Sequence, residues 1–378
     1  MGCIINKAAL CLLASKDKPV SKHLNCAVLG AGLMGRLLAH GLAMVGHRVS
    51  IYEASGEDGL GAAARVAASM LAPLAESAIT EWPVVDMGQY SLQRWPVLIK
   101  QLPDPVFFQQ LGTLILWHMQ DALQARMLVD KLEFNSNRLP SECKPQNFQS
   151  DTLQALEPEL SSKFQQGLFL PGEGQLDNRQ LLHALMKALQ AKMVDIHWHS
   201  AKTLDDVGAL HRQGADWVFD CRGTGARNDW HGLRGVRGEV IRLHAPDVHI
   251  TRPVRLVHPR YPLYIAPKQD QVYVIGATEI ESDDTSEASV RSTLELLSAA
   301  YSLHSGFAEA RILEINTQLR PALKNNLPSI RRIADRCLQI NGLYRHGFLI
   351  APAILDAVIG LIQGDASLAD RFELTNDH

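Results

Sequence analysis

The chain reads as part α/β and part α+β: a parallel-sheet core of βαβ type, interleaved with a half built on an antiparallel sheet. Three observations predict this. A strand, a glycine turn, a helix and a second strand follow one another over residues 25–55. Alternating strand segments joined by a short turn occupy 238–246 and 264–276. A polar turn, Tyr344-Arg345-His346-Gly347, leads straight into a strongly apolar helical segment in which Ile354, Leu355, Val358, Ile359 and Ile362 recur at helical spacing, with Pro352 placed as a first-turn proline.

Each element follows from its local pattern. Cys26 to Leu29 is a short apolar strand, Leu33 to Val45 carries helical periodicity, and Val49 and Ile51 alternate in a strand from His47 to Tyr52. Between the first strand and the helix stands Gly30-x-Gly32-x-x-Gly35. These glycines permit a tight turn, let a pyrophosphate approach the backbone, and bring the helix close to the strand, while the helix N-terminus offers free N–H groups to phosphate. Glu53 closes the second strand, placed to accept hydrogen bonds from ribose hydroxyls, and an acid there disfavours a 2′-phosphate. The unit predicts an adenine dinucleotide other than NADP.

The next stretch, GEDGLGAAARVAASMLAPLAE (56–76), is dense in Gly, Ala and Ser. Small side chains allow backbone N–H groups to approach a large planar ligand, although an Ala-rich helix reads from the same composition. Farther on, 215–226 reads as a strand and glycine turn, Lys268 to Gln271 as a hairpin turn, and 286–303 as an amphipathic helix with Ser286 as cap. SNRLPSECKPQNFQS (136–150) is the most loop-like stretch.

Composition narrows the function. At 378 residues with 46% hydrophobic residues, the chain is long enough for two domains or one large composite. A net charge of −3, from 37 basic and 40 acidic residues, carries no basic excess of the kind that marks nucleic-acid or anionic-membrane binders. A small-molecule or protein ligand is expected. Cys3, Cys11, Cys26, Cys143, Cys221 and Cys337 lie far apart, without a C-x-x-C pair or histidines at zinc-ligand spacing, which predicts a reduced cytoplasmic setting and no structural metal. His197 and His199 share a strand segment but lack a third ligand at suitable spacing. No uninterrupted apolar run of about 18 residues suggests a membrane span. Residues 1–23 read as an extension upstream of the fold: the apolar run from Ala8 to Ala14 lacks a clear cleavage site, and Gly2 lacks the Ser or Thr at position 6 that myristoylation prefers.

Five segments together resemble the D-amino-acid-oxidase-like family of FAD-dependent oxidoreductases, and within it the glycine-oxidase branch associated with bacterial thiamine biosynthesis. They are the glycine turn with Glu53, AAARVAASMLAPLAE (62–76), YIAPKQDQVYVIGATE (264–279), QLRPALKNNLPSI (318–330) and LYRHGFLIAPA (343–353). The resemblance implies a Rossmann-like FAD-binding domain assembled from 24–76, 150–230 and 315–378, with a substrate-binding domain from 77–149 and 231–314. It implies FAD contacts from Gly30, Gly32, Leu33, Met34, Gly35, Glu53 and Ala54, from Ala63, Ala64, Ala68, Ser69 and Met70, and from Tyr344, Arg345, His346, Gly347, Phe348 and Leu349. The helix begun at Pro352 would aim its positive end at the flavin.

Arg320 matches the family's carboxylate anchor, Arg345 a second arginine beside substrate and flavin, and Tyr264 a pocket tyrosine. Arginine suits the anchoring task because its planar fork pairs both carboxylate oxygens and keeps its charge. The implied reaction is oxidative deamination of glycine or another small amino acid or amine, with O2 or another acceptor reoxidising the flavin. Several positions depart from the family pattern. Leu343 replaces a histidine, Ala322 a glycine, and Cys221-Arg222-Gly-Thr-Gly an Ala-Ala-Gly-x-Trp turn, while Arg65 and Ser69 enter the flavin loop. A dehydrogenase of the same fold and a flavoprotein acting on a partner protein remain open alternatives, as does association with further copies of the chain.

Overall fold

The computed structural model describes residues 23–257 and 263–375; the N-terminal extension lies outside the described residues apart from His23. Two large sheets organise the chain. In the first, six strands run in the order Ser329–Ala334, Cys337–Asn341, Trp217–Asp220, Asn25–Leu29, Arg48–Tyr52 and Asp195–His197. All pairs are parallel except the Ser329–Ala334/Cys337–Asn341 hairpin. Asn25–Leu29 lies inside this sheet, with Cys26 opposite both Trp217 and Val49. A strand covered on both faces is apolar throughout rather than alternating, and Cys26 to Leu29 are all buried.

The second sheet has eight strands in the order Arg311–Ala322, Arg234–His244, Val272–Gly276, Leu263–Pro267, Val254–Leu256, Thr113–Leu116, Gln166–Leu170 and Gln146–Gln149. Its pairs are antiparallel apart from Val254–Leu256 against Thr113–Leu116. Three strands depart from the sequence reading. Gln146–Gln149 forms an edge strand inside the stretch read as loop, and both Gln166–Leu170 and the part of Arg311–Ala322 from residue 315 onward join this sheet although they fall within segments assigned to the FAD-binding part. In Gln146–Gln149 Phe148 alone is buried, so the edge strand carries almost no hydrophobic alternation to read. A small sheet of Met70–Leu71, Gly174–Leu176 and Phe108–Gln109 connects the two halves beside the Ala/Ser-rich loop.

That loop is not one Ala-rich helix. It contains a four-residue helix, Ala63–Val66, then Ala67 in extended backbone and Ser69 at φ +52, before the strand Met70–Leu71. Helix Val290–Leu303 begins four residues after Ser286, and its cap is Ser289, whose hydroxyl accepts from the Ser292 N–H at 3.1 Å. Ser286 instead donates to the Asp284 carboxylate at 2.8 Å.

The apolar C-terminal helix spans Gly347–Ile362, preceded by a 3-10 turn over Tyr344–His346, so it starts five residues before the expected Pro352. An internal proline leaves the carbonyl four residues earlier without its helical donor. Here that carbonyl, Phe348 O, accepts from the Trp95 indole N–H at 2.8 Å, which replaces the helical bond lost at Pro352. Tyr344–Ile362 is long and apolar enough to cross a bilayer, with mean hydropathy 1.6. Ile354, Leu355 and Val358 are nevertheless at most 1% exposed, packed in one core with Leu33–Met44 and Trp82–Ile99, and each contributes about 2 kcal/mol by burial. Gly41 admits this packing: a Cβ there would stand 2.7 Å from Leu355 Cδ1.

Candidate active site

One continuous cavity runs from the glycine turn and Glu53, along Ala62–Met70, to Tyr264, Arg320 and the Tyr344–Leu349 turn. At its first end Gly30 has φ +95, and a Cβ on Gly35 would come within 1.9 Å of Gly30 O. The helix Leu33–Met44 has neither a side-chain cap at Gly32 nor an acidic residue in its first turn, so its positive end is available to an anion. Glu53 Oε2 accepts from the Ala31 N–H at 2.5 Å, and its Oε1 from the Ser55 N–H and hydroxyl at 2.9 and 2.8 Å. The carboxylate is thus pinned across the strand end by Ala31 and Ser55.

Two polar side chains hold the Ala/Ser-rich loop from behind. Asn178 Nδ2 donates to Ala64 O and Arg65 O, both at 2.8 Å. Lys268 Nζ donates to Ala68 O and Leu176 O at 2.8 Å and to Gln175 Oε1 at 3.1 Å. Because the peptide is planar and trans, turning the Ala68 carbonyl toward Lys268 turns the Ser69 N–H to the opposite side. Lys268→Met strands these acceptors and is expected to weaken FAD binding at least about tenfold, with Lys268→Arg retaining more, as read by titrating apoprotein with FAD.

Burial also pushes Lys268 down from 10.5 to about 7. Between those values the unfolded chain binds the extra proton, so native stability gains as pH rises. Urea unfolding at pH 7 and about pH 9 should therefore show the wild type gaining stability relative to Lys268→Met.

At the far end, Arg320 lies across Gly238, where a Cβ would be 2.3 Å from Nη2, and Tyr264 lies across Gly276, where a Cβ would be 2.6 Å from the hydroxyl. These two glycines of the eight-stranded sheet create the room for both side chains. Arg320 Nη1 donates to Thr278 O at 3.1 Å, and among the described residues Arg320 forms no ion pair. Burial pulls its pKa down and pushes the Tyr264 phenol up. A cation in that condition gains from an incoming carboxylate.

Arg345 is differently placed. Its Nη1 pairs with Glu279 Oε2 at 2.7 Å and its Nη2 with Glu76 Oε2 at 3.2 Å. Glu76 also binds Arg255 Nη2 at 2.6 Å, and His346 Nδ1 stands 3.5 Å away. Burial opposes the Glu76 charge, but Arg345, Arg255 and His346 outweigh it and hold the carboxyl well below the usual range. Burial pushes His346 down to about 4, leaving it neutral at pH 7. Behind Arg255, burial raises Glu173 to about 7.

The cavity brings together every residue expected at the site except Gly35 and Ala54, which lie outside its lining. Gly35 acts one layer back through its contact with Gly30. Arg222 lines the cavity, yet its guanidinium is taken up by Asp220 and Asp229, while Arg65 Nη1 donates to Asp58 O at 3.2 Å and stays outside the main cavity. The sequence reading missed Glu76, Arg255 and Glu279 as site residues, as well as Asn178 and Lys268 as supports. Glu76 and Glu279 each close a segment already singled out, and an acid at the end of a cofactor loop or strand was the available signal. His197 stacks on Tyr52 at 4.6 Å and pairs with Asp195 at 3.0 Å; among the described residues no group of three metal-ligating side chains gathers.

The glycine cradle, the pinned acid and the loop of small residues fit an extended dinucleotide ending near Arg320. The chain belongs to the FAD-dependent oxidoreductase family, whose model matches residues 25–358. It is an oxidoreductase, and FAD is its cofactor. It is 38% identical over 331 residues to a putative thiamine biosynthesis oxidoreductase of Rhizobium etli, covering 88% of this chain and 94% of that one. Identity to a glycine oxidase of Geobacillus kaustophilus is 25% over 376 residues, covering 93% and 94% of the two chains.

Among solved structures, glycine oxidase from Geobacillus kaustophilus matches with TM-score 0.77 and 23% identity over 94% of this chain and 100% of that one. An iminodiacetate oxidase from Chelativorans sp. BNC1 matches with TM-score 0.74 and 19% identity over 90% and 95%. These two likenesses establish the common fold.

Proposed function

We propose that the protein oxidatively deaminates glycine or another small amino acid or amine, with O2 as acceptor and hydrogen peroxide as product. The observation that carries this reading is Arg320: a half-buried guanidinium without an acidic partner among the described residues, beside Tyr264 at the end of the cofactor cavity. FAD supplies the hydride acceptor. Arg320 holds the substrate carboxylate through its planar fork, and the Tyr264 ring closes the wall beside it. Gly238 and Gly276 keep those two side chains in place. The Glu76 cluster fixes the 344–349 turn, which lines the cavity at the N-terminal end of the helix Gly347–Ile362, the end that carries positive dipole. Loss of a hydride and a proton from the amino acid leaves an imino acid, which water hydrolyses to a 2-oxo acid and ammonia.

Aerobic turnover of glycine with the FAD-loaded protein tests the acceptor and the stoichiometry together. One glyoxylate, one ammonia and one peroxide per O2 consumed are expected. Slow turnover in oxygen with fast turnover on an artificial acceptor would instead make the protein a dehydrogenase.

A further inference from the structure

We propose that Glu279 sets the substrate class of this site, restricting it to substrates with a single carboxylate by occupying the outward face of Arg345. The inference rests on the amino-acid-oxidase reading and deepens it. Three arginines line the substrate end of the cavity: Arg255 is paired with the buried Glu76, while Arg320 and Arg345 repel one another. Arg320 alone lacks an ion pair among the described residues.

The outward Nη1 of Arg345 is covered by Glu279 Oε2 at 2.7 Å, while Glu279 Oε1 accepts from the Tyr344 hydroxyl at 2.6 Å. Both oxygens are therefore fixed. Burial opposes the Glu279 charge, but Tyr344, Arg345 and Arg320 outweigh it and keep the carboxyl below the usual range.

Exposure separates the two acids on Arg345. The Glu76 side chain is 9% exposed and serves as a closed counter-ion, whereas that of Glu279 is 43% exposed and faces the cavity. A substrate carboxylate on Arg320 meets a guanidinium that donates to Thr278 O but has no acidic partner among the described residues. A second carboxylate on the same substrate would have to displace Glu279 from Arg345 or lie beside it as a like charge, and either discriminates by about tenfold or more.

Sarcosine and iminodiacetate make the comparison clean, since they differ in one N-substituent, methyl against carboxymethyl. Anaerobic flavin reduction by each is followed for the FAD-loaded wild type, Glu279→Gln and Glu279→Asp, and the sarcosine-to-iminodiacetate ratio of reduction efficiencies is compared. The wild type should favour sarcosine strongly, Glu279→Gln should lower the ratio at least about tenfold, and Glu279→Asp should hold it near the wild-type value. An unchanged ratio in Glu279→Gln, or a wild type indifferent to the second carboxylate, overturns the assignment.

Acetate and malonate keep this outcome separate from the reaction itself. If no amine reduces the flavin, yet acetate perturbs its spectrum and malonate does so in Glu279→Gln alone, the assignment of Glu279 stands and the oxidase reading fails. If neither anion perturbs any of the proteins, both fall.

Discussion

Arg320→Leu is expected to lower kcat/KM for glycine by roughly a thousandfold while leaving FAD content unchanged. Two charge-assisted hydrogen bonds to one carboxylate are worth about 4 kcal/mol together, which sets that scale. The fold should survive, because Arg320 gives up one hydrogen bond to Thr278 O and no ion pair among the described residues. Its burial already works against its own charge, so the melting temperature should hold or rise. Steady-state kinetics, FAD absorbance and thermal unfolding on one preparation check all three. A variant that loses FAD, or that keeps its affinity for glycine, would remove Arg320 from the substrate.

Gly35→Ala should release the cofactor. A Cβ at that position would lie 1.9 Å from Gly30 O and 3.0 Å from Gly30 C, both backbone atoms, so helix and phosphate turn must separate. Overpacking of this kind costs about 1–3 kcal/mol, and the displaced turn no longer presents its N–H groups together. A colourless protein with lowered thermal stability is expected. Gly32→Ala is the contrast: the nearest protein atom to its Cβ would be Ala62 Cβ at 3.9 Å, so apoprotein stability should hold while FAD affinity falls. Titration of both apoproteins with FAD, beside their unfolding curves, separates backbone crowding from lost room for the pyrophosphate. Equal FAD affinity in all three proteins would contradict the assignment of the turn.

The parts legible in the sequence are those whose cause is local. Gly30, Gly32 and Gly35 are demanded by a turn six residues long, and Glu53 by the end of the strand that follows. Arg320, Arg345 and Tyr264 were reached through the resemblance, since an isolated arginine carries no periodic mark.

What stayed hidden is non-local. Glu76 meets Arg255 across 179 residues and Arg345 across 269, and nothing near any of the three announces the others. Lys268 read as a turn residue because its acceptors, Ala68 O and Leu176 O, belong to segments far back in the chain. Pro352 misled for a similar reason: the donor that makes an internal proline tolerable, Trp95, sits on another helix. The polar edge strand Gln146–Gln149 takes its structure from its neighbour and carries little pattern of its own.

Arg320 would hold the carboxylate of a small amino acid or amine at the end of this cavity, where bound FAD would supply the hydride acceptor. The decisive test is an anaerobic absorption spectrum of the FAD-loaded protein before and after adding glycine, sarcosine and D-alanine, with air then admitted and Arg320→Leu run alongside. Flavin bands that bleach in the wild type, return on aeration and persist unbleached in the variant are the expected result. A wild type that stays oxidised with all three, or an Arg320→Leu protein that bleaches equally well, would contradict it.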